Sequence, residues 1–272
     1  MKFSIPVPVQ YDTPFSPFSA AEWLHGLDWA RENTFDGVEL CISHYRGLDL
    51  IGLSHELEKR NLGCSTLSTG QSRGLEGLSL TADPDTVNRT VTRFQEHIDA
   101  ASVLGSRVTV GLLRGAGSSA DPAVRERELL MLREALLPII EYADRKNVGL
   151  LLEPLNRYES LLLNSTAETA HYIRKELGAP SVLGILWDLF HANIEDPVFP
   201  TDDFPLIHHI HLADSDRSMP GHARLDVLSI LVRAHRAGFC DYASFECFNK
   251  PLPDSVLREA GDFIRQTRTL LT

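Results

Sequence analysis

The sequence predicts an α/β protein folded as one (β/α)8 barrel domain over residues 1–272. Strand-like and helix-like segments alternate from one end of the chain to the other, which is the pattern of a parallel sheet covered by helices. Eight such units follow one another without a linker, and 272 residues is near the length of about 250 that is typical of a closed barrel. An open, doubly wound sheet is the alternative, but no glycine-rich dinucleotide-binding motif follows the first strand.

Each predicted strand is a short apolar run between polar or turn residues, as expected of buried parallel strands. The eight runs are residues 2–9, 37–42, 62–68, 107–113, 148–153, 182–188, 206–213 and 242–248. The first run is interrupted by prolines and lacks a small-residue cleavage site, which favours a strand over a signal peptide. Amphipathic helices are predicted at residues 20–32, 50–61, 84–104, 124–146, 167–177, 223–237 and 254–271. Residues 192–204, which contain prolines, have a poor helical pattern.

Composition and charge exclude several classes of function. Hydrophobic residues make up 43% of the chain and charged residues 23%, which is ordinary for a globular protein. The net charge of −11 argues against a nucleic-acid partner, because phosphate binding needs a basic surface. No apolar run approaches the roughly 20 residues that a membrane helix needs. The four cysteines form no CxxC pair, so we expect a reduced, cytoplasmic protein.

A β/α barrel carries its chemistry at the C-terminal ends of its strands. This rule selects one candidate site residue at or near the end of each of the second to fourth predicted strands. Glu39 should point inward from the second strand, either to hydrogen-bond a neighbour or to contact a ligand directly. Gln71 follows the third strand. Arg114 ends the fourth, where it could bind a substrate carboxylate or phosphate, or form a salt bridge at the rim.

The last four predicted strands each end in a residue type that binds metal ions. These residues are Glu153, Asp188, His211 and Glu246. One such residue usually caps a helix or pairs with an arginine, but four in register predict a single divalent ion and an enzyme. Three carboxylates and one imidazole form an oxygen-rich ligand set, which suits Mn²⁺ or Mg²⁺ better than thiolate ligands would. The same ligands can also bind Co²⁺ or Zn²⁺.

Four protein ligands leave two positions of an octahedron for two adjacent substrate oxygens, such as those of an α-hydroxyketone. A metal that binds both oxygens would stabilise the cis-enediolate formed when the neighbouring C–H loses its proton. Two glutamates on opposite sides of that carbon could remove and return the proton on opposite faces. The chemistry predicted from the ligand set is therefore epimerisation.

Three segments in the second half of the chain carry a family resemblance. They are Glu153-Pro-Leu-Asn-Arg-Tyr-Glu159, Trp187-Asp-Leu-Phe-His191, and the stretch from His209 through His211 to Arg217 and Gly221. Together they resemble the xylose-isomerase-like TIM barrel superfamily of sugar isomerases and epimerases, with the nearest match to the ketose 3-epimerases of the tagatose and psicose type. Residues 69–81 and 111–115 are similar to the 5-keto-gluconate epimerases.

The resemblance implies a role for each matching residue. Glu153, Asp188, His211 and Glu246 would bind one divalent ion, with Mn²⁺ expected. Glu153 and Glu246 would also serve as the acid/base pair. Glu159, His191 and Arg217 would bind the carbonyl and hydroxyl oxygens of a small keto-sugar or keto-sugar acid. The family further implies a homodimer or homotetramer.

Other activities are compatible with the same barrel. An aldose–ketose isomerase, acting on a sugar or sugar phosphate, or an inosose-type isomerase or dehydratase would share the enediolate step, and only the product separates them. An apurinic-site endonuclease would need additional histidine ligands on the third and fourth strands, where the sequence has none. A sugar-binding barrel without activity would not be expected to keep the whole ligand set.

Overall fold

Eight parallel strands close into a barrel in the computed structural model, which describes residues 1–196, 198–249 and 252–271. The strands are β1 (Lys2–Pro8), β2 (Gly37–Cys41), β3 (Gly63–Ser68), β4 (Arg107–Val110), β5 (Leu150–Leu152), β6 (Leu183–Asp188), β7 (Ile207–Leu212) and β8 (Tyr242–Phe245). Each strand pairs with the next in the chain, and Lys2 of β1 lies opposite Tyr242 of β8, which closes the sheet. The predicted barrel is confirmed.

Helices connect the strands and cover the outside of the barrel. They are α1 (Trp23–Glu32), α2 (Leu50–Lys59), α3 (Gly70–Glu76), α4 (Pro84–Leu104), α5 (Pro122–Lys146), α6 (Thr166–Lys175), α7 (Leu189–Glu195), α8 (Val227–Arg236) and α9 (Pro253–Leu271). Seven of them correspond to predicted helices. The short helices α3 and α7 were not predicted, and α7 extends into residues 192–204, where the helical pattern is poor.

Aspartates at the helix starts explain where several helices begin. Asp83 and Asp121 each accept backbone N–H bonds from the first turn of α4 and α5, and each is followed by proline. This combination satisfies the free N–H groups of a helix start, and the proline ring already holds the helical φ angle. The starts of α4 and α5 are therefore set by the local sequence.

The strands are buried on both faces, between the barrel interior and the helices. In β5, Leu150, Leu151 and Leu152 are all fully buried. Inside the barrel, the side chains of Ser4, Glu39, His209 and Ser244 are buried as well, so a polar layer lies beneath the C-terminal mouth. Within the described ranges, no helix combines the length and apolar character needed to cross a membrane.

Candidate metal centre and active site

The C-terminal ends of β5 to β8 bring together the four predicted ligands. One ligand atom from each of Glu153, Asp188, His211 and Glu246 lies within 4.8 Å of the others. His211 Nδ1 is 3.6 Å from Asp188 Oδ2, 3.6 Å from Glu246 Oε2 and 3.9 Å from Glu153 Oε1. One nitrogen at similar distances from three different oxygens indicates four atoms around a common point, which differs from a simple ion pair.

Strand register and helix capping hold two of these ligands in place. An irregularity in the pairing of β6 with β7 sets Asp188 directly opposite His211. Asp188 is also the N-cap of α7, and its Oδ1 accepts the backbone N–H groups of Phe190 at 2.7 Å and His191 at 3.0 Å. Its other oxygen, Oδ2, is therefore left to face the cluster, where it is buried with no hydrogen-bond partner among the described residues.

The two glutamates of the cluster have pKa values displaced in opposite directions. Burial raises the pKa of Glu153 well above its ordinary value, and the neighbouring Glu246 carboxylate raises it further. Burial also acts to raise the pKa of Glu246, but His211 and Arg217 outweigh it, so that the pKa of Glu246 is lowered. In the absence of a metal ion, the Glu153 carboxyl group therefore holds a proton more readily than the Glu246 carboxyl group.

The donor set fits a divalent cation. Asp188 Oδ2 and His211 Nδ1 are buried, lack hydrogen-bond partners among the described residues, and lie 3.6 Å apart. Buried polar atoms without partners are costly unless something binds them. Carboxylate oxygens with one imidazole nitrogen are ligands that suit Mn²⁺, Mg²⁺ or Co²⁺, so Glu153, Asp188, His211 and Glu246 could hold such an ion.

Glu39 lies behind His211, away from the cleft. Its Oε2 is 3.1 Å from His211 Nε2 and 3.5 Å from His209 Nε2. Burial alone would raise the pKa of Glu39, but the two imidazoles lower it to about 2. Of the two roles left open for Glu39, the structure thus supports the hydrogen bond, which fixes the ring of His211 with Nδ1 towards the cluster.

Replacing Glu39 by Gln is expected to weaken Mn²⁺ binding by about 10- to 100-fold, because the charged acceptor that orients His211 is lost. Isothermal titration calorimetry of the metal-free protein measures the affinity. Glu128→Gln is the matched control, since Glu128 is also buried but accepts bonds from Ser118 and is not part of the cluster. Equal affinities in the Glu39 variant and the control would contradict the role of Glu39.

A cleft of about 470 Å³ opens above the four-residue cluster. Its floor contains Glu153, His211 and Glu246, and its outer wall is largely apolar, with Tyr11, Pro14, Phe15, Leu75 and Leu112. Gln71, predicted as a candidate, lines the cleft. Its Nε2 donates to Tyr11 O at 2.5 Å, whereas its Oε1 is buried with no partner within the described part of the chain. The side chain of Gln71 is therefore placed to contact a ligand.

Arg217 joins the cluster to the predicted substrate-binding glutamate. Its Nη2 donates to Glu246 Oε2 at 2.6 Å and its Nη1 to Glu159 Oε1 at 3.2 Å. The guanidinium lies between the rings of Phe15 and Phe190, at 4.5 and 4.9 Å from their centroids, and this stacking holds it in place. No role was assigned to either ring from the sequence, because Phe15 follows β1 and Phe190 lies in α7, each far from Arg217 along the chain.

The loop after β7 is shaped around Asp214. The Asp214 carboxylate accepts the backbone N–H groups of Gly221, Ala223 and Leu225, each at 2.9 Å. Asp214 O also accepts the backbone N–H of Arg217 at 2.9 Å. Arg217 has a φ angle of 64°, in the left-handed region that side chains other than glycine rarely adopt. The loop thus turns back on itself at Arg217 and directs its side chain into the cleft.

His191 lines the cleft beside Glu153. Its Nε2 lies 4.0 Å from Glu153 Oε1 and has no hydrogen-bond partner among the residues that the structure describes. Its Nδ1 faces Asn156, from the loop after β5. The quoted motif contains Asn156, but no role was assigned to it from the sequence.

Arg114 is a correction to the sequence prediction. Its side chain is fully buried outside the cleft, and its guanidinium donates to Glu153 O at 3.1 Å, Ser160 Oγ at 3.3 Å and Leu163 O at 3.3 Å. Burial lowers its pKa to about 10. Neither a substrate contact nor a salt bridge at the rim describes this residue. Arg114 instead holds the loop that carries Glu159 against the end of β5.

Known proteins share this barrel. A family model described as "Xylose isomerase-like TIM barrel" matches residues 27–267. The chain is 29% identical over 235 residues to an L-ribulose 3-epimerase from Mesorhizobium japonicum, covering 84% of this chain and 76% of that protein. It is 29% identical over 130 residues to 3-dehydro-D-guloside 4-epimerase from Escherichia coli, over 46% and 48% of the two chains. A solved structure of L-ribulose 3-epimerase aligns with a TM-score of 0.81 at 24% identity, covering 98% of this chain and 95% of that one. The chain therefore belongs to the xylose isomerase-like TIM barrel family.

Proposed function

We propose that this protein is a divalent-metal-dependent epimerase that acts on the carbon beside the carbonyl of a keto-sugar. The observation that carries the proposal is the pair Glu153 and Glu246, which lie in one ligand cluster with Asp188 and His211 at the mouth of the barrel. The relatives support it, since the two named above are sugar epimerases.

Each side chain of the site has a task in this reaction. The ion held by Glu153, Asp188, His211 and Glu246, expected to be Mn²⁺, would polarise the carbonyl and stabilise the charge that develops when the adjacent C–H loses its proton. One of the two glutamates removes that proton, and the other returns a proton on the opposite face. Glu159, His191 and Arg217 bind the substrate oxygens. A homodimer or homotetramer and a cytoplasmic location stay predictions from the sequence.

The charges of the cleft favour an uncharged sugar over a phosphorylated or acidic one. Among the described residues that line it, Arg217 is the one arginine or lysine, and two carboxylates already bind its guanidinium. Two basic residues outside the lining of the cleft already have partners within the protein. Arg73 donates to Leu78 O at 3.1 Å, and His222 pairs with Glu259 at 2.6 Å. The positive charge of a divalent ion and Arg217 is smaller than the negative charge of five ionised carboxylates, those of Glu39, Glu153, Glu159, Asp188 and Glu246. An anionic substrate would enter a negative site.

The test is solvent exchange in D2O, followed by NMR, with the Mn²⁺-loaded enzyme and matched sets of ketoses, ketose phosphates and keto-sugar acids. We expect an uncharged ketose to exchange the C–H beside its carbonyl and to accumulate as its epimer. Its kcat/KM should exceed that of a charged analogue by about 100-fold, since like-charge contacts cost several kcal/mol. The chelator-treated enzyme is the control.

The possible outcomes are distinct. Exchange with no member of the panel would contradict the proposed epimerase, and a positional isomer or a dehydrated diketone as product would favour the isomerase or dehydratase alternative. Preferred turnover of a phosphate or an acid would contradict the argument from charge while leaving the epimerase intact.

A further inference from the structure

Asn156 contacts two of the predicted substrate-binding side chains at once. It is 1% exposed, in the loop that follows β5. Its side-chain Nδ2 lies 2.7 Å from His191 Nδ1 and 3.1 Å from Glu159 Oε1, and its backbone N–H donates to the same His191 Nδ1 at 3.3 Å. No other described residue joins these two side chains by hydrogen bonds.

The orientation of the Asn156 amide follows from its neighbours. Its Oδ1 accepts the backbone N–H of Tyr158 at 2.9 Å. A backbone N–H can only donate, so the amide oxygen must face Tyr158, and the amide nitrogen must face His191 and Glu159. Since the backbone N–H of Asn156 donates to His191 as well, two donors converge on His191 Nδ1.

This arrangement determines which ring nitrogen of His191 carries the proton. A nitrogen that accepts from an N–H cannot itself hold a hydrogen, so Nδ1 presents its lone pair and the proton of the neutral ring lies on Nε2. Nε2 is buried, has no partner within the described residues and lies 4.0 Å from Glu153 Oε1, on the side of the cleft. His191 is thereby a hydrogen-bond donor towards the position that a substrate would occupy.

We propose that Asn156 is a positioning residue, which holds His191 in the tautomer that donates from Nε2 to a substrate oxygen beside the reacting carbon. The inference rests on the proposed function for its catalytic consequence, but the tautomer itself is a property of the protein. A donor aimed at an oxygen on which charge develops is worth most in the transition state. Asn156 should therefore affect kcat more than KM.

Asn156→Asp tests the proposal, because it keeps the size of the side chain and replaces the donor with an acceptor. A carboxylate oxygen facing His191 would draw the proton to Nδ1. We expect kcat to fall by about 100-fold, as for the loss of one donor to a developing oxyanion. Asn156→Ala is the matched variant: it keeps the backbone donor, so its kcat should fall by only about tenfold. If Asn156 only filled space, Ala would be the more damaging change.

Nitrogen-15 NMR of the Mg²⁺-loaded enzyme reports the tautomer without any substrate. The resonances of His191 are assigned as those lost in His191→Gln. We expect the wild-type ring to carry its proton on Nε2, and the ring in Asn156→Asp to carry one on Nδ1. A wild-type His191 protonated on Nδ1, or a greater loss of kcat in Asn156→Ala than in Asn156→Asp, would overturn the proposal. Failure of the proposed function, by contrast, would leave the wild-type tautomer as expected and abolish exchange with every substrate.

Discussion

Replacing Glu246 by Gln is expected to lower kcat for epimerisation by about 1,000-fold, within the range for loss of a general base. The Gln side chain keeps a carbonyl oxygen that can face the ion and keeps the volume of the residue. What it removes is the carboxylate whose pKa is lowered by His211 and Arg217. Glu153→Gln should cause a loss of similar size, because epimerisation needs proton transfer on both faces of the carbon.

The two variants should differ in which epimer still exchanges its C–H proton with solvent. With Glu246 replaced, the epimer whose proton faces Glu153 can still lose and regain it on that face, so it exchanges without inversion. With Glu153 replaced, the other epimer should exchange instead. The measurement is NMR in D2O, started separately from each purified epimer, with the metal content of each variant confirmed. In one possible outcome, one variant exchanges neither epimer and the other variant exchanges both. That outcome would show that a single base acts, contrary to this mechanism.

The ligand cluster could be predicted from the sequence because it depends on strand ends alone. Apolar runs locate the strands, and a closed parallel barrel gathers their C-terminal ends at one mouth. Glu153, Asp188, His211 and Glu246 each follow directly from that rule, and the structure brings them together.

Arg114 shows where the same rule fails. The predicted fourth strand runs to residue 113, but β4 ends at Val110 and the chain continues as a 3₁₀ helix over Leu112–Arg114. That turn directs the guanidinium beneath the following loop, away from the mouth. The apolar run continues through the point where the chain changes direction. The hydrophobic pattern therefore could not predict the position of Arg114.

Contacts between distant loops could not be predicted either. Phe15 follows β1, yet it stacks against Arg217 from the loop after β7 and against Phe248 after β8, at 5.2 Å between ring centroids. Likewise, Asn156 in the loop after β5 contacts His191 at the start of α7. Hydrophobic periodicity describes the strands and helices, whereas these contacts depend on how the loops fold over the mouth.

Removal of the metal should abolish activity and also lower the stability of the protein. Adding Mn²⁺ at 100 times its Kd to the metal-free protein is expected to stabilise the fold by about 2.7 kcal/mol, through binding to the folded state alone. For a chain of this size, that corresponds to a rise in Tm of about 5–10 °C. Differential scanning calorimetry measures the shift, and the same addition should restore turnover after treatment with a chelator.

The size of this shift should fall as the pH falls. In the absence of metal, burial acts to lower the pKa of His211, but Glu39 and Glu246 outweigh it and raise that pKa well above its ordinary value, while the pKa of Glu153 is also raised. Both groups must give up their protons to bind the ion, so acid competes with metal and weakens its affinity. At one Mn²⁺ concentration, the rise in Tm should thus be smaller at about pH 6 than at about pH 8.

His211→Gln should lose most of the rise in Tm that Mn²⁺ causes. His208→Gln should keep it, because His208 lies on the opposite face of β7, against Gly184. A shift as large in His211→Gln as in the wild type would show that the ion binds elsewhere.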